Sequence, residues 1–431
     1  MIRTAGLIAL MLTVNVMPAA AVQSTFEDQV ANTKSPNAKS RQKAAEGLGK
    51  SRRRDAVTHL AAMVRDPDST VRLSVVRALR ELRDLAAIPA LVTSLRDGDP
   101  GIRREALEGV LEAYVEPEQI WPGFPDVFAD DFDERPAETF APVAAVVWEG
   151  LRLTLRDDEQ PVRELSAHAV GILGGRGISE ELLLSLQDPV ARVRAIACTS
   201  LARVGTTEQG KGLIPLLSDE SQRVRRRALH ALGVLQVTDA TPALRAMYEN
   251  LGRRREAEQI LQTLSRLHDP TLGEFLREQV VDPDAARRRL AIDGLARISD
   301  SGMVEAFKKD FQRARREEIR LSLAFALARL GETAFVDTIV LNLASAGLRV
   351  RARNYLSELG AEKLEYLYPY LKDPQPEVRA ELASVIGRLG DPSAIDKLIP
   401  LVQDENAAVA DRANRAVERL RGVATLTGSE P

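Results

Sequence analysis

The chain is short of most of what a compact enzyme or a secreted disulfide scaffold is built from. It has one cysteine, Cys198, so no intramolecular disulfide can form and stability must come from packing. Aromatic residues make up only 4% of the 431 positions, which leaves small aliphatic side chains to build the interior. A formal net charge of -3 gives no overall basic surface for nucleic acid, so any charge effect must be local. After residue 21 no apolar run approaches the eighteen residues a membrane span needs, and no membrane anchor is expected.

The first residues read as a secretory signal. Arg3 supplies the positive start, Ala5 to Val16 is a short apolar run, and Pro18 to Ala21 offers small residues for cleavage. Cleavage near Ala21 would give an exported product, periplasmic or secreted. No cysteine stands directly after the cleavage region, so there is no thiol there for a lipoprotein to acylate. Cys198, among Ile196, Ala197 and Leu201, reads as a small buried side chain.

What the chain does have is a period near thirty residues. DPDSTVR at 66–72, DGDPGIR at 97–103, DDEQPVR at 157–163, DPVARVR at 188–194, DESQRVR at 219–225 and DPQPEVR at 373–379 share one spelling. Aligned on it, arginines fall at 41, 72, 103, 163, 194, 225, 254, 288, 320, 349 and 379, with Ala410 in twelfth place. The step from Arg103 to Arg163 is twice the usual one and holds an insertion.

Small or apolar residues recur three, seven and ten positions after each arginine, as in Ala228, Leu232 and Leu235. That spacing is a helical stripe, and it defines a helix B. Gly205, Gly331, Gly360 and Gly390 are placed to end it in a left-handed cap. A shorter apolar helix A precedes each aspartate, with Pro215, Pro369 and Pro400 expected to bend it. The aspartate itself is expected to cap helix B. The series Asp66, Arg72, Asp97, Arg103, Asp157, Arg163, Asp188, Arg194, Asp219, Arg225, Asp373 and Arg379 reads as a structural ladder between repeats, not a row of catalytic groups.

Helix A with its proline, a DP-type turn, then VR and an alanine-rich helix B resembles the short HEAT-like repeats of the phycobilin lyase type. The resemblance covers residues 24–421 and implies an all-α fold: a right-handed α-solenoid (superhelix) of about twelve two-helix repeats with one irregular insertion. The expected organisation is a signal at 1–21, repeats at 22–115, an insertion at 116–145, further repeats at 146–422 and a flexible tail at 423–431.

Two departures from the repeat are candidates for function. The insertion carries Trp121, Phe124, Phe128, Phe132 and Phe140, with Asp126, Asp130, Asp131, Asp133, Glu134 and Glu138 opposed by Arg135. Its prolines exclude one long helix, and a short helix is expected around Asp126 to Phe132. Aromatics at this density favour a docked or partner-binding segment. The second departure is basic: Arg226, Arg255 and Arg289 each stand one residue past a ladder arginine and are expected to line up as a stripe. Tyr366, Tyr368 and Tyr370, with Tyr355 nearby, form a smaller aromatic group that reads as core or surface packing.

The expected function is an exported scaffold that binds a protein or peptide, with an acidic partner suiting the arginines, and with no catalysis or cofactor of its own. The alternative is an enzyme. Deoxyhypusine hydroxylases hold two irons with His-Glu pairs on such repeats, but His59, His168, His230 and His268 are followed here by Leu, Ala, Ala and Asp. Bilin lyases act where phycobiliproteins are made, which the signal segment opposes. Nucleic-acid binding is not expected of an exported chain, and no metal site is read.

Overall fold

The computed structural model describes residues 25–116, 120, 137, 139, 141–251, 255–360 and 363–427. Among these the secondary structure is entirely helical. The signal segment lies outside them, as do Trp121, Phe124, Phe128, Phe132, Phe140 and the short helix expected at 126–132.

Twelve B helices can be traced among the described residues: α1 (Ala38–Lys50), α2 (Ser69–Leu82), α3 (Pro100–Tyr114), α4 (Gln160–Ile172), α5 (Ala191–Val204), α6 (Gln222–Val234), α7 (Arg255–Arg266), α8 (Ala285–Arg297), α9 (Glu317–Arg329), α10 (Arg349–Leu359), α11 (Pro376–Leu389) and α12 (Ala407–Thr427). The chain divides into two compact units, one ending at Tyr114 with α1 to α3 and one starting at Val115 with α4 to α12. The last helix continues through Thr427 with Ala424 buried, past the point where a flexible tail was expected.

The apolar stripe folds inward as its spacing requires. Ala228 and Leu232 on α6 and Leu235 at its C-cap are buried, as are Ala291 and Leu295 on α8. Successive B helices approach closely through glycine. A Cβ on Gly171, eight residues after its ladder arginine, would lie 2.8 Å from the Ser200 Cα, six after the next one. Gly49 meets Ala78, and Gly387 meets Ala416, in the same relation.

Helix ends differ from expectation in three ways. The ladder aspartate is not the cap. Asp66 accepts the amide of Asp68 (3.0 Å), and Asp68 in turn caps α2 by accepting from Thr70 (2.9 Å) and Val71 (3.3 Å). The aspartate thus folds the turn before the helix, and its carboxylate stays available to the ladder. At the other end, Gly331, Gly360 and Gly390 take positive φ but Gly205 has φ -77°. In other repeats the same turn is made by Arg52, Arg83, Gln236, His268 and Ser299, all at positive φ. Finally, the prolines of helix A do not kink an α-helix. Lys211–Ser218, Tyr368–Lys372 and Ile399–Gln403 are 3₁₀ segments, because a proline without N–H cannot make the i to i−4 bond and the chain tightens to the shorter spacing.

Candidate binding surface

The ladder is built from one repeated set of bonds. Arg194 donates two hydrogen bonds to Asp219 (2.8 and 2.9 Å) and two more to the carbonyls of Asp188 (2.8 Å) and Pro189 (3.3 Å). Each guanidinium therefore ties its own turn to the aspartate of the following repeat. Arg72 with Asp97, Arg163 with Asp188, and Arg379 with Asp404 repeat this geometry, and Arg41 with Asp66 adds a further rung. Arg103 and Arg225 reach the carbonyls of their own turns at Asp97 and Asp219, Arg163 reaches that of Asp157, and Arg379 that of Asp373.

Twenty-five residues after Arg225, Arg288 and Arg320, where the ladder carboxylate would stand, the chain has Asn250, Arg313 and Ser345. In this stretch another kind of link appears. Tyr355 on α10 donates to the buried Asp293 on α8 (2.8 Å) and accepts from Ser322 on α9 (2.8 Å). Its ring stacks on Phe325 at 4.2 Å, and Arg297 on α8 donates twice to Glu358 on α10 (2.8 and 2.9 Å). Helices two repeats apart are thereby joined across α9. Tyr355 is 3% exposed and sits in this bridge, whereas Tyr366, with which it was grouped, lies on helix A and is 46% exposed.

The basic stripe requires correction. In α7 the position equivalent to a ladder arginine is Ala257, not Arg254. His268 makes the positive-φ turn eleven residues after Ala257, as Gln236 does after Arg225 and Ser299 after Arg288. Thr263, six after Ala257, bonds the Leu229 carbonyl (3.1 Å), as Ser200 bonds that of Ala167 (2.7 Å). Arg255 therefore falls two residues before the ladder position, and Glu258 takes the place between Arg226 and Arg289. Arg289 pairs with Asp293 on its own helix (3.2 Å) rather than standing in a solvated row.

With α7 in register a different row emerges. Nine residues after the ladder position stand Arg203, Val234, Arg266, Arg297, Arg329, Glu358, Arg388 and Arg419, on α5 to α12 in order. All six arginines are partly buried, and the Arg297 side chain is only 9% exposed. Glu358 sits among them: it is held by Arg297, and its backbone carbonyl accepts from Arg329 (3.1 Å). Burial pushes the Glu358 carboxyl up, but Arg297, Arg266 and Arg329 together hold it below its usual range. Between Arg203 and Arg266 lies the buried His230. Burial, then Arg266, Arg227 and Arg203, depress it well below the ordinary imidazole value, so it is neutral at pH 7. In the first unit the same position holds Lys50, Glu81 and Glu112, and Arg80 bonds Glu105, Glu108 and Glu112.

The insertion is tied to α4 at both sides. His168 donates from Nε2 to the carbonyl of buried Ile120, and the Ala137 amide donates to the Ile172 carbonyl (2.9 Å). Burial pushes His168 down to about 4, so the ring is neutral at pH 7. Among the described residues, no group of three or more histidines, cysteines or acids could hold a metal ion, and no helix is long and apolar enough to cross a membrane.

Stacked B helices packed with A helices within each unit, many of them tied by Arg–Asp rungs, define a helical-repeat protein of the α-solenoid class. The HEAT repeats family matches residues 29–112, 179–262 and 364–427, more than half of the chain, and the chain belongs to that family. It is 28% identical over 158 residues to the phycocyanobilin lyase subunit alpha of Nostoc sp. (strain PCC 7120), covering 34% of this chain and 57% of that one. The chain thus spans little more than half the length of that curated relative. Among solved structures it is similar to importin beta, with 12% identity, coverage of 93% of this chain and 69% of that one, and a TM-score of 0.42. It is also similar to an engineered protein, with 18% identity, coverage of 92% and 98%, and a TM-score of 0.36.

Proposed function

We propose that this chain is an exported scaffold that binds a protein or peptide partner through its B helices and performs no chemistry itself. The observation that carries the reading is the run of partly buried arginines at one position of successive B helices, a long surface built for contact instead of a convergent catalytic site. Arg3, the apolar run and the small residues ending at Ala21 support export, with the mature chain in the periplasm or outside the cell. The aromatic insertion, with Trp121, Phe124, Phe128 and Phe132, is the second contact element.

Affinity capture from an envelope extract tests the reading, comparing the intact mature chain with one whose residues 116–141 are replaced by a Gly/Ser linker. Specific proteins held by the intact chain and lost with the linker make the insertion a recognition element. Retention of nothing by either chain removes the scaffold reading. The lyase relative supports a second reading, in which the chain handles a bilin. A red-shifted or sharpened visible band on mixing the chain with phycocyanobilin would favour it, and an unchanged spectrum would dismiss it.

A further inference from the structure

From α6 to α11, successive B helices form no Arg–Asp rung among the described residues. Twenty-five residues past Arg225, Arg288 and Arg320 stand Asn250, Arg313 and Ser345, and α7 has Ala257 where the arginine would be. Arg349 turns its fork back to the carbonyls of Leu343 (2.8 Å) and Ala344 (3.3 Å). Rungs resume with Arg379 and Asp404 (2.8 Å). The stretch thus lacks the directional bonds that fix α4, α5 and α6 to one another. Apolar packing is non-directional, so these interfaces can tilt and slide in small steps that a bidentate rung opposes.

The contact that crosses α9 lies inside this stretch and has two layers. The inner layer, Tyr355 on Asp293 and Ser322, is buried; the outer layer is Arg297 on Glu358, whose side chain is 35% exposed. Helices α8 and α10 can meet over α9 only where the array bends toward that side. Each group also has a second partner that does not require this meeting. Asp293 has Arg289 on its own helix (3.2 Å), and Arg297 has the Ser265 carbonyl on α7 (3.2 Å). Tyr355 has Ser322 (2.8 Å) and the Phe325 ring (4.2 Å), both on α9. Arg329 on α9 and Arg266 on α7 also act on the Glu358 carboxylate. Parting α8 from α10 therefore strands no buried charge, which is the condition that makes breaking an ion pair costly.

We propose that this contact is a clasp between two native curvatures of the second unit. Closed, it joins α8 and α10 across α9; open, Asp293, Arg297, Tyr355 and Glu358 return to partners on their own or adjacent helices, and the rungless interfaces take up the change. The two forms share every helix and differ in how far the B-helix side is drawn together. The clasp exists without any partner, so it stands or falls apart from the scaffold reading.

Pulsed electron resonance tests it, with spin labels on cysteines replacing Ser301, in the turn after α8, and Asp396, in the helix A after α11. Both positions are exposed, and the buried Cys198 is left in place. Three helix spacings of about 8–10 Å put the labels roughly 24–30 Å apart. The unaltered chain is expected to give one main distance. Glu358→Gln and Tyr355→Phe should each add a second, displaced by about 3 Å or more, because a water of about 30 Å³ has to enter the parted contact. At about 1 M salt, where the screening length is about 3 Å, the same second distance should appear in the unaltered chain. Arg379→Gln, which removes a rung outside the stretch, should leave one distance.

A single unchanged distance in both clasp variants and at high salt overturns the proposal. So does a second distance in Arg379→Gln, which would make the change a general loosening of the array. If a clasp variant loses its helical circular dichroism, the salt series on the unaltered chain decides.

Discussion

Replacing Arg194 by methionine should cost the second unit about 3 kcal/mol. The side chain is 9% exposed and that of Asp219 is 7% exposed, so water compensates little for the lost pair. Two bonds to Asp219 and two to the carbonyls of Asp188 and Pro189 disappear together. Asp219 would then keep the Ser221 amide (2.8 Å) as its donor within the turn. An exposed pair would cost well under 1 kcal/mol, and burial of the carboxylate without its counter-charge accounts for the difference.

Asp219→Asn keeps the turn and removes the charge, so the double variant should recover about 2 kcal/mol relative to the sum of the single ones. Urea unfolding gives the totals. Hydrogen exchange along α5 and α6 localises the loss, which matters because repeat arrays need not unfold in one step. A single-variant cost below 1 kcal/mol, or no coupling in the cycle, would refute the view that the ladder holds neighbouring repeats together.

Further expectations concern other parts of the fold. Gly171→Ala places a methyl 2.6 Å from the Ser200 hydroxyl, which is itself bonded to the Ala167 carbonyl, and should destabilise by about 1–3 kcal/mol in urea. His168 is lowered in the folded chain, so its contribution is complete above its ordinary value of 6.5 and is lost as pH falls toward about 4. Thermal melts should show a loss in that window that is absent in His168→Gln. The ladder aspartates Asp66 and Asp404, held low first by their arginines, contribute stability that disappears only below the ordinary aspartate range. Cys198 is fully buried and burial pushes its thiol up, so a colorimetric thiol reagent should react only after denaturant is added.

The ladder was legible because its chemistry is spelled identically in successive repeats, and an aspartate and an arginine of fixed spacing admit few other uses. The misplacement of α7 has a physical origin. Arg253 to Arg255 supply an arginine three residues too early, and a slip of three preserves the helical stripe: Ala257, Leu261 and Leu264 satisfy the pattern counted from Arg254, and Ile260, Leu264 and Leu267 satisfy it counted from Ala257. Only the turn at His268 and the close approach of Thr263 to Gly233 separate the two. The row ending in Arg419 stayed hidden for the same reason, since one displaced helix breaks its continuity. Asp293 and Tyr355 could not be paired from sequence at all, because contact across an intervening repeat depends on how the helices bend together and not on any local pattern. The cap at Asp68 was missed because both Asp66 and Asp68 carry the right side chain.

The bridge across α9 changes what kind of object this stretch is during unfolding. In a chain coupled only between neighbours, a boundary between ordered and melted repeats can rest at any interface at similar cost. Joining α8 to α10 through Tyr355 and Glu358 makes a boundary on either side of α9 break two couplings at once. Partially melted forms should therefore avoid stopping there, and the three helices should order and melt as one step inside an array that elsewhere can fray repeat by repeat.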